Sequence, residues 1–332
     1  MLLRHIKSHV IAVLAVSACA VVNAQSVKTT ISLPSVPTGI AVNYATNRIY
    51  VALPSFGGPK DSLAIIDGYT DKVIKTLEIP PIGSYAVAVD ALRDKIYVGG
   101  CYQDSDGNTH CDVVAIDGER FGKIKTIPIT TTEGNGIQGL AVDPLTGTVY
   151  VSNASDNVIN VLTNDGRVDK EISLSGESPV GVAIDPFTNR LYVALASSEV
   201  DIVNTRTRKV ITSATVGETN GNVAVDLVTG HIFVTNTIIG TSTLGVLKGD
   251  GTVLANVAVG NTPFGVDVDP FTNLAFVTNL QDDTVSVING KTNAVTETLA
   301  VSGLFLAANP YTSKVYVGGQ TMNSITVLTE KH

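Results

Sequence analysis

Tryptophan is absent from the 332 residues, methionine occurs twice, and aromatic residues make up only 5%. The core of such a chain has to be aliphatic, drawn from an apolar content of 44%. Charge is also scarce, at 16%, which excludes a solvated coiled coil, while the apolar content excludes a disordered chain. Basic residues are in deficit: the net charge is −8, and losing Arg4 and Lys7 with a leader would deepen it by two. That balance argues against electrostatically driven nucleic-acid binding. Beyond the leader no run approaches the roughly eighteen apolar residues of a membrane-spanning helix. Catalytic signatures are missing too, with no GxSxG elbow, no P-loop and no CxxC or haem CxxCH motif. After residue 24, histidine is confined to His110, His231 and His332. What is plentiful is glycine (30), which with 13 prolines gives the composition of a turn-rich, all-β protein.

Residues 1–24 read as an export signal. Arg4 and Lys7 supply the positive start, Val10–Val16 the apolar stretch, and Val22-Asn23-Ala24 a small-residue cleavage site before Gln25. Val16-Ser17-Ala18-Cys19 offers a second fate, a lipobox in which Cys19 is lipidated and anchors the chain. Both fates place a single domain, 25–332, outside the cytoplasm, periplasmic or secreted. Cys101 and Cys111 flank nine residues rich in Asp, Gly and Asn. An exported chain is expected to oxidise this pair to a disulfide across the neck of a hairpin loop. A metal site is the weaker reading, with His110 the only imidazole nearby.

Internal repetition decides the fold. Seven segments share one pattern: IAVNYATNRIYV (40–51), VAVDALRDKIYV (87–98), LAVDPLTGTVYV (140–151), VAIDPFTNRLYV (182–193), VAVDLVTGHIFV (223–234), VDVDPFTNLAFV (266–277) and LAANPYTSKVYV (306–317). The conserved-position Asp or Asn of each recurs at 43, 90, 143, 185, 226, 269 and 309. Each unit reads as four short strands. Val182–Ile184 leads into the turn Asp185-Pro186-Phe187-Thr188-Asn189, Arg190–Ala194 returns, and Thr284–Ile288 and Ala294–Val301 exemplify the outer pair. In the turn, Asp accepts backbone N–H groups, Pro presets φ, and Asn or Gly tolerates the left-handed conformation. The seventh unit ends after its third strand, Ser324–Thr329, and its fourth is supplied ahead of the first unit by Val27–Leu33. Repeats of this length with shared ends predict a seven-bladed β-propeller closed by its N-terminal strand. A linear β-solenoid, the alternative, has no use for a half-blade at each end.

Phe233-Val234-Thr235-Asn236, Phe276-Val277-Thr278-Asn279 and Tyr150-Val151-Ser152-Asn153 give these units their sharpest signature. Through them the chain resembles the YVTN-type β-propeller repeat family over essentially its whole length after the leader. Tyr50-Val51-Ala52-Leu53, Tyr97-Val98-Gly99-Gly100, Tyr192-Val193-Ala194-Leu195 and Tyr316-Val317-Gly318-Gly319 depart from the motif. The resemblance implies an exported or surface-associated propeller and leaves its chemistry open.

A position set by packing alone should match its six equivalents, so residues that break the repeat are the candidate site. Two residues before the turn Asp or Asn, six units carry Ala41, Ala88, Ala141, Ala183, Ala224 and Ala307, and the sixth carries Asp267. Such a carboxylate on an innermost strand is expected either to hold a metal or polar ligand in the channel or, more plainly, to bond neighbouring backbone or channel water. Asn222 and Phe305 stand where Gly39, Gly139, Gly181 and Gly265 stand elsewhere, Phe305 as a plug for the channel. Asp283 and other loop carboxylates, among them Asp61, Asp104, Asp156 and Asp282, form an acidic rim. Asp104-Ser105-Asp106-Gly107-Asn108 imitates the start of a calcium loop without its closing Glu. His231 reads as a solvated turn residue.

These features predict a binding or interaction scaffold with a protein or small polar ligand at the channel mouth, acting as a monomer. The alternative is a propeller hydrolase or lyase of lactonase type, in which channel carboxylates including Asp267 hold a divalent metal.

Overall fold

The computed structural model describes residues 25–329, apart from 56–57, 123, 130–135, 219, 238–239 and 241. The leader, with Cys19, and the C-terminal His332 therefore lie outside the described residues. Twenty-eight strands form seven four-stranded antiparallel sheets, and the described residues contain no helix. The sheets stand as the blades of a ring, each strand paired to its sequence neighbour from the channel outward. In the fourth blade the order is Pro179–Asp185, Arg190–Leu195, Glu199–Asn204 and Lys209–Thr215. The exception is the seventh blade, whose outermost strand, Ser26–Ser32, comes from the other end of the chain and pairs Ser26 with Thr329 and Ser32 with Ser324. The propeller and its N-terminal closure are as expected from the repeat.

The turn chemistry holds in every blade. Asp185 Oδ1 accepts the N–H groups of Phe187 and Thr188, and Asp90, Asp143, Asp226 and Asp269 do the same two and three residues on. The residue that must turn left-handed is Asn47, Asp94, Gly147, Asn189, Gly230, Asn273 or Ser313, all at φ between 46° and 74°. Non-Gly residues there pay a modest steric cost, least for Asn and Asp.

There is no single central core. Seven apolar clusters fill the wedges between blades. The aromatic of each second strand belongs to the next blade's cluster: Tyr50 packs with Ile96 and Val98, and Tyr316 with Ile49 and Val51. Tyr50, Tyr97, Tyr192, Phe233, Phe276 and Tyr316 are the largest fully buried side chains. Burying one such side chain stabilises by about 2–3 kcal/mol. Every blade thus commits one of the scarce aromatics to a seam.

Two polar devices reinforce those seams. The hydroxyls of Ser152, Thr235 and Thr278 donate across the wedge to the carbonyls of Val180, Phe264 and Leu304, at 2.8–2.9 Å. The Ser or Thr of the tetrapeptide is therefore a latch between blades, and Asn153, Asn236 and Asn279 beside it organise the following turn. At the other end of the second strand, the first residue clasps a turn carbonyl of the next blade. Arg48 donates to Gly118, Lys95 to Asn164, Arg190 to Gly249 and Lys314 to Gly68. His231 takes the same place with Nδ1 3.2 Å from the Gly290 carbonyl. It is half-buried at a seam and not, as expected from its neighbours in sequence, a solvated turn residue.

Cys101 and Cys111 are bonded, directly opposite one another on the extended second and third strands of the second blade. Mass spectrometry of the unreduced, alkylated protein should find neither thiol labelled. Two labelled thiols there would refute the bond. Replacing both by Ser is expected to cost about 2–3 kcal/mol at most and leave the ring folded, because the seams carry it.

Candidate functional site

Each innermost strand leaves one edge unpaired, and the seven edges line the central channel. Most of the strands are bulged where they start, between Pro179 and Val182 and between Pro263 and Val266 for example. A bulge bends the strand inward and increases its twist. Close approach of the blades there demands glycine: a Cβ on Gly39 would sit 2.5 Å from the Tyr85 carbonyl oxygen, and one on Gly265 2.7 Å from that of Leu304. Residues from all seven innermost strands enclose a channel cavity of about 290 Å³, among them Ala41, Gln138, Asn222, Asp267 and Phe305.

Asp267 is the one acid lining that cavity. It keeps partial exposure to the channel while buried among the blades. Its Oδ1 accepts the N–H of Val268 and its Oδ2 that of Ala308, the channel-side strand of the next blade, both at 2.9 Å. The plainer sequence expectation, a carboxylate bonded to neighbouring backbone, is therefore realised. Those two bonds leave lone pairs on both oxygens for a channel guest. Burial pushes the carboxyl up to about 6, against the pull of the two amides, and Asp269 adds a little repulsion. Burial wins because two neutral donors do not replace full hydration.

Asn222 lines the same cavity, but its Nδ2 donates at 3.1 Å to the Phe264 carbonyl, the acceptor also used by the Thr235 latch. It closes a seam while touching the channel. Phe305 meets Tyr85 and Phe264 edge-on, with ring centroids 5.4 and 5.3 Å away. These three rings, from blades two, six and seven, narrow the channel on the side where the innermost strands begin. Sequence reasoning singled out Phe305 and missed its partners. Tyr85 and Phe264 occupy one repeat position, held elsewhere by Thr38, Gln138, Val180, Gly221 and Leu304, so that position's variability was the only signal.

Asp283 is not brought to Asp267: it is absent from the cavity lining and accepts the Ser302 hydroxyl at 2.6 Å in an exposed turn. Much of the acidic rim is spent in the same way. Asp61 is buried and accepts from Ser55 and Ile82. Asp282 caps Asn261. Asp104 accepts the N–H groups of Asp106 and Asn108 and the ring nitrogen of His110, which holds its carboxyl well below the usual range. That loop is closed by its own donors, and nothing in it presents a calcium cradle. Among the described residues no three His, Cys, Asp or Glu side chains converge as metal ligands.

Comparison of the chain with protein-family models and with curated proteins gives no match.

Proposed function

We propose that the chain is an extracytoplasmic binding module of the YVTN propeller type whose ligand site is the central channel. The observation that carries the reading is Asp267, the single departure from alanine in a ring of seven, placed on the wall of the cavity. The space, about 290 Å³, suits a small molecule of few heavy atoms. The partners on offer are carboxylate lone pairs and unpaired strand edges below an aromatic collar. The guest class is a small polar molecule that donates hydrogen bonds, an amine or a polyol. Export agrees with the disulfide between Cys101 and Cys111.

A thermal-shift screen of small amines, sugars and lactones tests this. A compound that stabilises the native protein should lose its effect in Asp267→Ala. Equal stabilisation of both proteins counts against the channel, and lactone turnover with stoichiometric metal, lost in Asp267→Ala, would establish the enzymatic alternative.

The carboxyl also sets a pH dependence. Its folded value is raised above the unfolded one, so the folded state holds the proton between pH 4 and 6 where the unfolded state has released it. Stability therefore falls as pH rises through that window, by on the order of 2–3 kcal/mol, and is level above it. Urea midpoints of the native protein and Asp267→Asn should diverge from pH 4 to pH 7, the variant being the less pH-sensitive. Parallel profiles would mean the carboxyl is not perturbed.

A further inference from the structure

The turn after each innermost strand has a tip, two residues beyond the Asp or Asn. Nothing in the turn's hydrogen bonding calls for an apolar side chain there, since the acceptor, the proline and the left-handed residue are its neighbours. Yet six of the seven tips are Leu92, Leu145, Phe187, Val228, Phe271 and Tyr311. All six are exposed, from 54% for Leu145 to 70% for Phe187. The seventh tip is Ala45, and Tyr44 next to it stacks on Tyr311, which in turn meets Phe271 edge-on. They crown one face of the disc around the channel. The opposite face, among the described residues, exposes only Met322 of this kind.

The cations divide along the same axis, which leaves the opposite face the more acidic of the two. Arg93, Arg120, Arg167, Arg206, Arg208 and Lys291 stand in connecting turns of the crowned face, where Asp71, Asp94, Glu119, Asp143, Asp165, Asp226 and Asp250 nearly balance them. On the opposite face the described connecting loops hold one cation, Lys60, together with Asp104, Asp106, Asp156, Asp282 and Asp283. The outermost strand of the seventh blade also starts on the crowned face, since Ser26 pairs with Thr329 at the end of the third strand. The residues that precede it in sequence thus join the disc there, and five residues separate Cys19 from Gln25, at most about 20 Å of chain.

We propose that the crowned face docks on a lipid surface, with the six tips in the headgroup region and the more acidic face turned away. Single apolar side chains raised on separate turns fit a fluid interface better than the continuous, complementary patch that a protein partner buries. Aromatic rings favour the membrane–water boundary, and the acidic face would be turned away from an anionic surface. The proposal is independent of the channel reading, because none of the tips lines the channel cavity.

The absence of tryptophan supplies a clean test. The probe is vesicles of phosphatidylcholine with phosphatidylglycerol, added to the protein of residues 25–332 carrying Phe187→Trp. Its emission should shift to the blue on vesicle addition, whereas Met322→Trp on the other face should not shift. In co-sedimentation, Phe187→Ser with Phe271→Ser and Tyr311→Ser should weaken vesicle binding at least tenfold while the melting temperature, checked in parallel, stays put. Leu92→Ser with Val228→Ser, outside the aromatic group, should weaken it in the same direction. No binding, or binding unchanged by these substitutions and abolished by salt alone, overturns the proposal. So does a concentration-dependent dimer that the triple substitution dissociates without any vesicle binding, which would make a second copy the occupant.

Discussion

Deleting residues 25–33 should leave a chain that aggregates instead of folding. The segment carries the outermost strand of the seventh blade, and Ile31 and Leu33 from it are buried in the wedge against Ile49, Val51 and Tyr316. Those two side chains alone contribute about 2 kcal/mol each. The ladder from Ser26 to Ser32 is lost with them, which exposes Ser324–Thr329 as an unprotected sheet edge. The bond from the Gln25 N–H to Glu297 and the pairing of Lys28 with Asp71 disappear as well. A truncated protein that stays soluble and melts within a degree or two of the intact one would show that the ring does not need this closure.

Asp71→Ala should be the most damaging single polar substitution at the closing seam. Asp71 is buried in the first blade and accepts from Lys314 Nζ at 2.8 Å, from the Tyr316 hydroxyl at 3.2 Å and from Lys28. Lys314 is itself buried, and desolvation already lowers its affinity for a proton. Without the carboxylate, an ammonium is left in the wedge, held by the Gly68 carbonyl at 2.6 Å. Breaking such a pair from one side costs about 3–5 kcal/mol. The double substitution Asp71→Ala with Lys314→Met removes the stranded charge and should recover much of the loss. Equal midpoints for the single variant and the native protein in urea would mean that solvent reaches the seam and the pair is no more than a surface one.

The two predictions separate kinds of information that the sequence holds unequally. Strand order, blade number and the half-blade at each end were legible because the repeat shows which residues are equivalent. The left-handed turn residues followed from the preferences of Asn and Gly, and the disulfide from two cysteines flanking a short loop in a chain expected to be exported. Asp267 stood out as a break in the alanines, and it does line the channel. Asp283, grouped with it on the strength of shared chemistry, sits in a turn of its own. Equivalence along a chain says nothing about how deep in the disc a residue lies.

The seams were invisible for a related reason. Lys314 and Asp71 are 243 residues apart, and they meet only because the ring closes. The same holds for Tyr85 and Phe305, whose rings touch across the channel from the second and seventh blades. His231 looked like a turn residue until the next blade's Gly290 carbonyl was placed against it.

The amino-acid sequence by itself determined the blade: apolar alternation and the Asp-bounded turn are local, and they act within some forty positions. Only the tertiary structure decided what seven blades make together, namely the wedge contacts, the collar of Tyr85, Phe264 and Phe305, the depth of Asp267 and the ring of apolar tips on one face. Those arrangements depend on the angle between neighbouring sheets and on ring closure. They are set by packing among side chains from different repeats, and a repeat read one unit at a time contains no term for it.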